Sequence, residues 1–322
     1  MALYYVAHRL FASHDRALGA YFAERLARAA GPGSVFLPFC DTDEQDLVSD
    51  CKGRLLFDLD CARLRRIAGM IAVLHGPSLD DGVCMEIGFA SASGAPVVIV
   101  STDFQTYSQD PAGPATVFPD PLLDRLAARV VRVHRLAPRA RQASQDRLRA
   151  FLRQNLAPVS VAAGEAASAL LEAAREPARG PGSARMPGLA VIEPSPYFRD
   201  PAWEDVSSAL TARGWKVHTA HRLQPEADPV RASRSDWAAA MTASLAVVDA
   251  RGPETPPGAA LITGALTARG MPVLAACPAA PQTLADGREP NWRNLMIQYA
   301  VTARYSCPAE LAAAVNLPCP AG

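Results

Sequence analysis

Two aspartates and a glutamate fall within seven residues in the segment Gly76-Pro-Ser-Leu-Asp80-Asp81-Gly82-Val-Cys-Met-Glu86-Ile-Gly88-Phe-Ala90. An anionic carboxylate beside a second carboxyl group suits displacement at a sugar carbon. One group attacks the anomeric carbon as nucleophile, and the other protonates the leaving group. The segment joins the end of a predicted strand, MIAVLHG, to the start of a predicted helix, VCMEIGFASASG. Open parallel sheets bind their ligands at that carboxyl edge. Glu86 is expected in the first turn or so of the helix, where the helix field favours an anion. Gly82 would let the loop bend, and Gly88 and Ala90 would let helix and strand approach closely. The plain alternative is a pair of turn aspartates followed by a helix-terminus charge.

The elements around this segment alternate. A strand at Leu3–Ala7 precedes a helix from about His14 to Ala30, with Leu18, Tyr21, Phe22 and Leu26 on one face. Then come a second strand in GPGSVFLPFCD, a helix at about Asp58–Ala68, the MIAVLHG strand, the VCMEIGFASASG helix and the strand PVVIVS. Such alternation predicts a parallel sheet with helices on both faces. Residues 142–156 and 163–175 have helical spacing, and EPARGPGSARMPG at 176–188 reads as a linker.

The second half repeats the order. LAVIEPSPYF is a strand and loop, Asp200–Arg213 a helix, GWKVHTAHR a second strand, Asp236–Ala243 a helix, SLAVVDARGP a strand, PPGAALITGALTARG a helix and PVLAACP a strand. Asp60 lies 16 residues before Gly76, and Asp236 lies 16 before Gly252. Gly82 to Gly88 is six steps, as is Gly258 to Gly264. The chain reads as a duplicated α/β protein: two tandem doubly wound domains forming an internal pseudo-dimer, with further homo-oligomerisation open. The expected boundaries are 1–140, a helical segment and linker at 141–187, and 188–322.

Composition narrows the function classes. The 322 residues, 49% of them hydrophobic, suffice for two cores. Lys+Arg and Asp+Glu are both 32, so there is no basic excess to suggest a nucleic-acid polymer as partner. No apolar run approaches the roughly 20 residues of a membrane span. The opening MALYYVAHRLF reads straight into a strand and lacks a signal-peptide pattern. The seven cysteines form no CxxC pair and no tight Cys/His cluster. That argues against a disulfide framework or a structural zinc site, and a reducing cytoplasm fits.

YYVAHRLF, VFLPFCD, Asp60 on its helix and LHGPSLDDGVCMEIGFASASGAPVVIVSTDF together resemble nucleoside 2-deoxyribosyltransferases over most of residues 3–105. The specific part is the ordered DG-x-x-x-EIG-x-A-x-x-x-G-x-P-V series. The resemblance implies a flavodoxin-like or Rossmann-like fold and a retaining, ping-pong transfer of 2-deoxyribose between nucleobases through a covalent glycosyl-Glu86. It implies that Asp81, or its neighbour Asp80, protonates and holds the base. Asp60 would bind the base or orient the acid, and Tyr5 would aim Glu86. No metal or organic cofactor is implied; the partners are small nucleosides and nucleobases. Phe11 and His8, past the first strand, are candidate base contacts, and Asp80 and Gly82 belong to the substrate loop. Gly69 stands where the family often has Asp, and the strand ends LHG instead of LDG.

In the second half, aligning Gly258 with Gly82 puts Ile262 opposite Glu86 and Pro257 opposite Asp81, so this half should not catalyse alone. Its Lys216–Arg222 segment resembles the second strand of cytidylate N-glycosidases. Asn291-Trp-Arg-Asn294-Leu-Met296-Ile-Gln-Tyr299-Ala resembles the N-L-M segment that family members donate into a neighbouring subunit's site. The expectation is one composite site, with Glu86, Asp81, Asp60 and Tyr5 from the first half and Asn294 and Met296 from the second. The plain alternative for that segment is an amphipathic helix with an Asn cap. Two other functions stay open. One is an N-glycosidase hydrolysing nucleoside 5′-monophosphates, which Arg293 keeps possible; the other is a non-catalytic nucleotide-binding module.

Overall fold

A computed structural model describes residues 2–42, 52–76, 78–108, 113–133, 146–176, 186–278 and 293–315. The first half runs β1 (Tyr4–Ala7), α1 (Ser13–Ala30), β2 (Val35–Phe36), α2 (Lys52–Leu64), β3 (Gly69–Leu74), α3 (Asp81–Ala92), β4 (Val97–Ser101), α4 (Pro121–Leu126), β5 (Arg129–Arg132) and α5 (Arg147–Ala173). The second runs β6 (Leu189–Glu193), α6 (Ala202–Ala212), β7 (Lys216–Thr219), α7 (Pro229–Thr242), β8 (Leu245–Asp249), α8 (Pro257–Ala268), β9 (Val273–Ala276), α9 (Leu295–Ala300), β10 (Ala303–Tyr305) and α10 (Pro308–Ala314). Each half is a five-stranded sheet, ordered β2-β1-β3-β4-β5 and β7-β6-β8-β9-β10, with every described pairing between strands parallel. Both are doubly wound α/β units, as the alternation predicts.

The central strands are apolar along their whole length, which is what burial on both faces requires. One face of the first sheet packs on α1 and α5, and one face of the second on α6 and α10. The two remaining faces, with α2, α3, α4, α7, α8 and α9 between them, share a single apolar core that runs across both halves. Here α3 crosses α8. A Cβ on Gly88 would lie 2.0 Å from the Leu261 carbonyl oxygen, and one on Gly264 would lie 1.9 Å from that of Met85. Each contact repeats the other with the halves exchanged, which is the signature of a two-fold interface. Gly88 therefore serves the helix crossing between halves, not the helix–strand approach expected from sequence.

Several boundaries differ from the sequence reading for local reasons. Helix α2 covers Lys52–Leu64 instead of 58–68, because β3 begins at Gly69. Helix α7 starts at Pro229, with the Asp228 side chain accepting from the Arg231 N–H. This cap-plus-proline start precedes the apolar stretch that drew attention to 236–243. Helix α5 is continuous through Pro158. It is long and apolar enough to meet the length criterion for a membrane span, and Ala162, Ala163, Ala166, Ala167 and Leu170 pack onto the first sheet and α1. Most of the linker expected at 176–188 lies outside the described residues.

Candidate active site at the junction of the halves

Tyr5 is wholly buried in β1, and its hydroxyl donates to Glu86 Oε1 at 2.6 Å. Burial raises the phenol well above its ordinary pKa, and the charges of Asp60 and Glu86 raise it further. The hydroxyl thus stays protonated and remains a donor. Asp60, on α2, is buried and close enough to act on that phenol.

Helix α3 begins at Asp81, which puts Glu86 in the second turn. The helix field falls off within the first turn, so it acts on Asp80 and Asp81 more than on Glu86. Asp80 is the N-cap: its Oδ1 accepts from the Val83 N–H at 2.9 Å. Burial, followed by repulsion from Asp81, pushes its carboxyl up to about 7. Asp81 is raised chiefly by burial, and its Oδ2 accepts from the backbone N–H of Thr255, 174 residues away, at 3.0 Å.

Thr255 belongs to the loop between β8 and α8, so the second half already reaches the first-half site. Glu254 beside it lies 3.4 Å from Arg9, whose Nε is 4.0 Å from both Asp15 and Asp80. Arg293 Nη2 donates to the carbonyls of Ala250 and Gly252, bracing the same loop. Sequence reasoning missed Thr255 and Glu254. Their types are unremarkable, and only the pairing of the halves brings them to the carboxylates.

Asn294 is the N-cap of α9, with its Oδ1 accepting from the Met296 N–H at 3.0 Å. Its amide rests on Gly82: a Cβ there would lie 2.4 Å from Nδ2. Gly82 is needed for this approach rather than for a bend. It stands one turn before Glu86 on the same side of α3. Met296 lies in the shared apolar core, and Tyr299 stacks at 6.0 Å on Phe57 of α2. The expected juxtaposition of Asn294 with the α3 start is therefore present, while Met296 packs as a core residue. Phe11 is 65% exposed. His8 turns inward: its ring lies against Gly19 of α1, and burial lowers its pKa. That places His8 in the packing between β1 and α1, not among the carboxylates.

The second half has the same frame with other contents. Strand register makes Val191 the counterpart of Tyr5 and His218 the counterpart of Phe36. Ile262 stands for Glu86 and is buried in the shared core. Where Asn294 rests on Gly82, Gly258 meets Arg222 and Asp120. Asp120 caps α4 as Asn294 caps α9. The first half thus donates a residue in return, from the stretch after STDF, and it is an aspartate. Arg222, 1% exposed, donates to both Asp120 oxygens at 2.8 Å, to Glu193 at 2.5 and 3.1 Å, and to Asp236 at 3.2 Å. A guanidinium ringed by carboxylates stands against Gly258 where the Asn294 amide stands against Gly82.

The fold and the carboxylate site define a doubly wound α/β unit that holds ionisable groups at the carboxyl edge of its sheet. Residues 4–131 match the family model for nucleoside 2-deoxyribosyltransferase. A domain of this kind supports nucleoside deoxyribosyl transfer or a related glycosyl activity on small nucleoside substrates. No curated protein matches the chain. Among solved structures, it is similar to a conserved protein from Enterococcus faecalis V583, at 24% identity over 48% of this chain and 98% of that one, with a TM-score of 0.31.

Proposed function

We propose that the junction of the halves transfers a 2-deoxyribosyl group between nucleobases. The observation that carries this reading is the buried hydrogen bond from Tyr5 to Glu86. It fixes the carboxylate that attacks. A Glu86 oxygen bonds to C1′ while the N-glycosidic bond breaks, and a carboxyl proton goes to the departing base. A second base then attacks C1′ as the bond to Glu86 breaks, and gives its own N–H proton to the emptied carboxylate. Asp80 is the better proton carrier of the adjacent pair, because a carboxyl near 7 is still half protonated at neutral pH. Asp81 holds the Thr255 loop, and Asp60 shapes the charge around Tyr5. The Asn294 Oδ1 is engaged as a cap, so its Nδ2 is the atom to offer a sugar hydroxyl.

Hydrolysis of nucleotides would need donors for a phosphate. Arg293 spends Nη2 on two carbonyls, and Arg9 sits among Asp15, Asp80 and Glu254, which favours an uncharged 5′ end. The test is intact-mass analysis after mixing the chain with a 2-deoxynucleoside. A sugar adduct on the peptide holding Glu86 is expected. With a second free base, base exchange should fall on the order of 10⁴-fold in Glu86→Ala. Full exchange in that variant would end this reading.

A further inference from the structure

We propose that His218, His221 and Asp236 form a binding site for one divalent transition ion of the zinc class, separate from the glycosyl site. Asp236 Oδ1 lies 2.8 Å from His218 Nε2 and 2.9 Å from His221 Nδ1. Three ligand atoms from β7, the turn after it and α7 thus converge on one point. Tetrahedral bonds of about 2.0–2.1 Å put neighbouring ligand atoms roughly 3.3 Å apart. An ion therefore enters if Asp236 Oδ1 draws back from each histidine nitrogen by about half an ångström. Two imidazoles and a carboxylate suit zinc and its neighbours better than magnesium or calcium.

The surroundings favour a cation. The other Asp236 oxygen accepts from the backbone N–H groups of His221 and Arg222 and from Arg222 Nη1, each at 3.2 Å, so the carboxylate is held with Oδ1 toward the histidines. Such outer contacts orient a ligand before an ion arrives. Arg222 answers only one of the charges on Asp120, Glu193 and Asp236, leaving two negative charges when the imidazoles are neutral. A divalent ion balances them.

The His218 and His221 side chains are 24% and 39% exposed, which gives an ion and its completing water a way in. On binding, each imidazole turns a lone pair to the ion; its proton moves to the other ring nitrogen or leaves to solvent. The first-half position equivalent to His218 holds Phe36, so this histidine belongs to the second half's own chemistry. A linear search for Cys/His clusters passes over this set, because Asp236 joins it only through the fold.

The full chain, stripped with a chelator and dialysed, is titrated with Zn²⁺ by calorimetry, with Mg²⁺ as the control. One Zn²⁺ per chain is expected, with Mg²⁺ silent. Affinity should drop at least about 10-fold in His218→Gln and in His221→Gln, with base exchange unchanged. X-ray absorption of the zinc-loaded wild-type chain needs no variant and should show a nitrogen/oxygen shell with two imidazoles. A sulfur-containing shell, no saturable uptake, or equal uptake by the doubly substituted chain would overturn the assignment.

Discussion

The two halves place the same backbone around two different interiors. In the first, α3 begins at Asp81-Gly82, and an asparagine amide donated by the other half rests on Gly82. In the second, α8 begins at Pro257-Gly258, and the donated residue is Asp120, bound by the buried Arg222. The exchange of amide for carboxylate sets the charge against each helix start. An amide is neutral and keeps donors for a ligand. A buried carboxylate demands a cation, and the guanidinium that answers it fills the space. The second half has Ile262 and Val191 where the first has Glu86 and Tyr5, and Arg222 with Asp120 forms an ionic lock between the halves.

The comparison breaks most visibly at the lock. In Arg222→Met, Asp120, Glu193 and Asp236 lose their shared cation, and the chain should lose about 3–5 kcal/mol at pH 8, read from urea midpoints. Glu193 already sits at about 6, raised by burial. A carboxyl raised in the folded state binds its proton more tightly there than when unfolded. Its share of stability is therefore complete below its ordinary 4.5 and is lost as pH rises toward about 6. Without the guanidinium that value climbs further, so the variant should recover part of its deficit on acidification. Equal stability of variant and wild type at pH 8 would mean that the second site is not held by charge.

The next test belongs to the working half. If Asp80 carries the proton, transfer should decline as pH rises through about 7. Asp80→Asn should cost on the order of 10²-fold and flatten that decline. A donor whose leaving group departs as a stable anion should be spared. An unchanged pH–rate profile in Asp80→Asn would return the role to Asp81.

The smallest effect should be the most discriminating. Asn294→Asp makes the first site resemble the second, and kcat/KM should fall about 10- to 100-fold with little change in melting. Asp120→Asn is the reciprocal change. It should lower the melting temperature and leave kcat/KM within about 3-fold, because its cost falls on the lock. Similar kinetics for both variants would erase the distinction between the halves.

The repeat was legible because it rests on local chemistry. Glycine spacing, apolar strand runs and Asp60/Asp236 at equal distances from Gly76 and Gly252 all survive in a linear reading. The short outer strands β5 and β10 were not legible, since three or four residues carrying arginine show no period of their own. Asp81 and Glu86 stand in the ordered motif, while Tyr5 was pointed to only by the family resemblance. Thr255, Asp120 and Arg222 were not legible, since each is an ordinary residue type with no neighbouring pattern.

The amino-acid order by itself determined two α/β sheets, their likeness, and which half kept a glutamate at the head of its third helix. Only the packing of α3 on α8 decided the rest. That crossing exchanges α4 and α9 between the halves, so the residue capping each helix acts in the other half. Hydrophobic periodicity records which face of a helix is buried, but it is silent on which partner buries it. The amide-lined and ion-paired sites therefore became distinguishable only once both halves stood together.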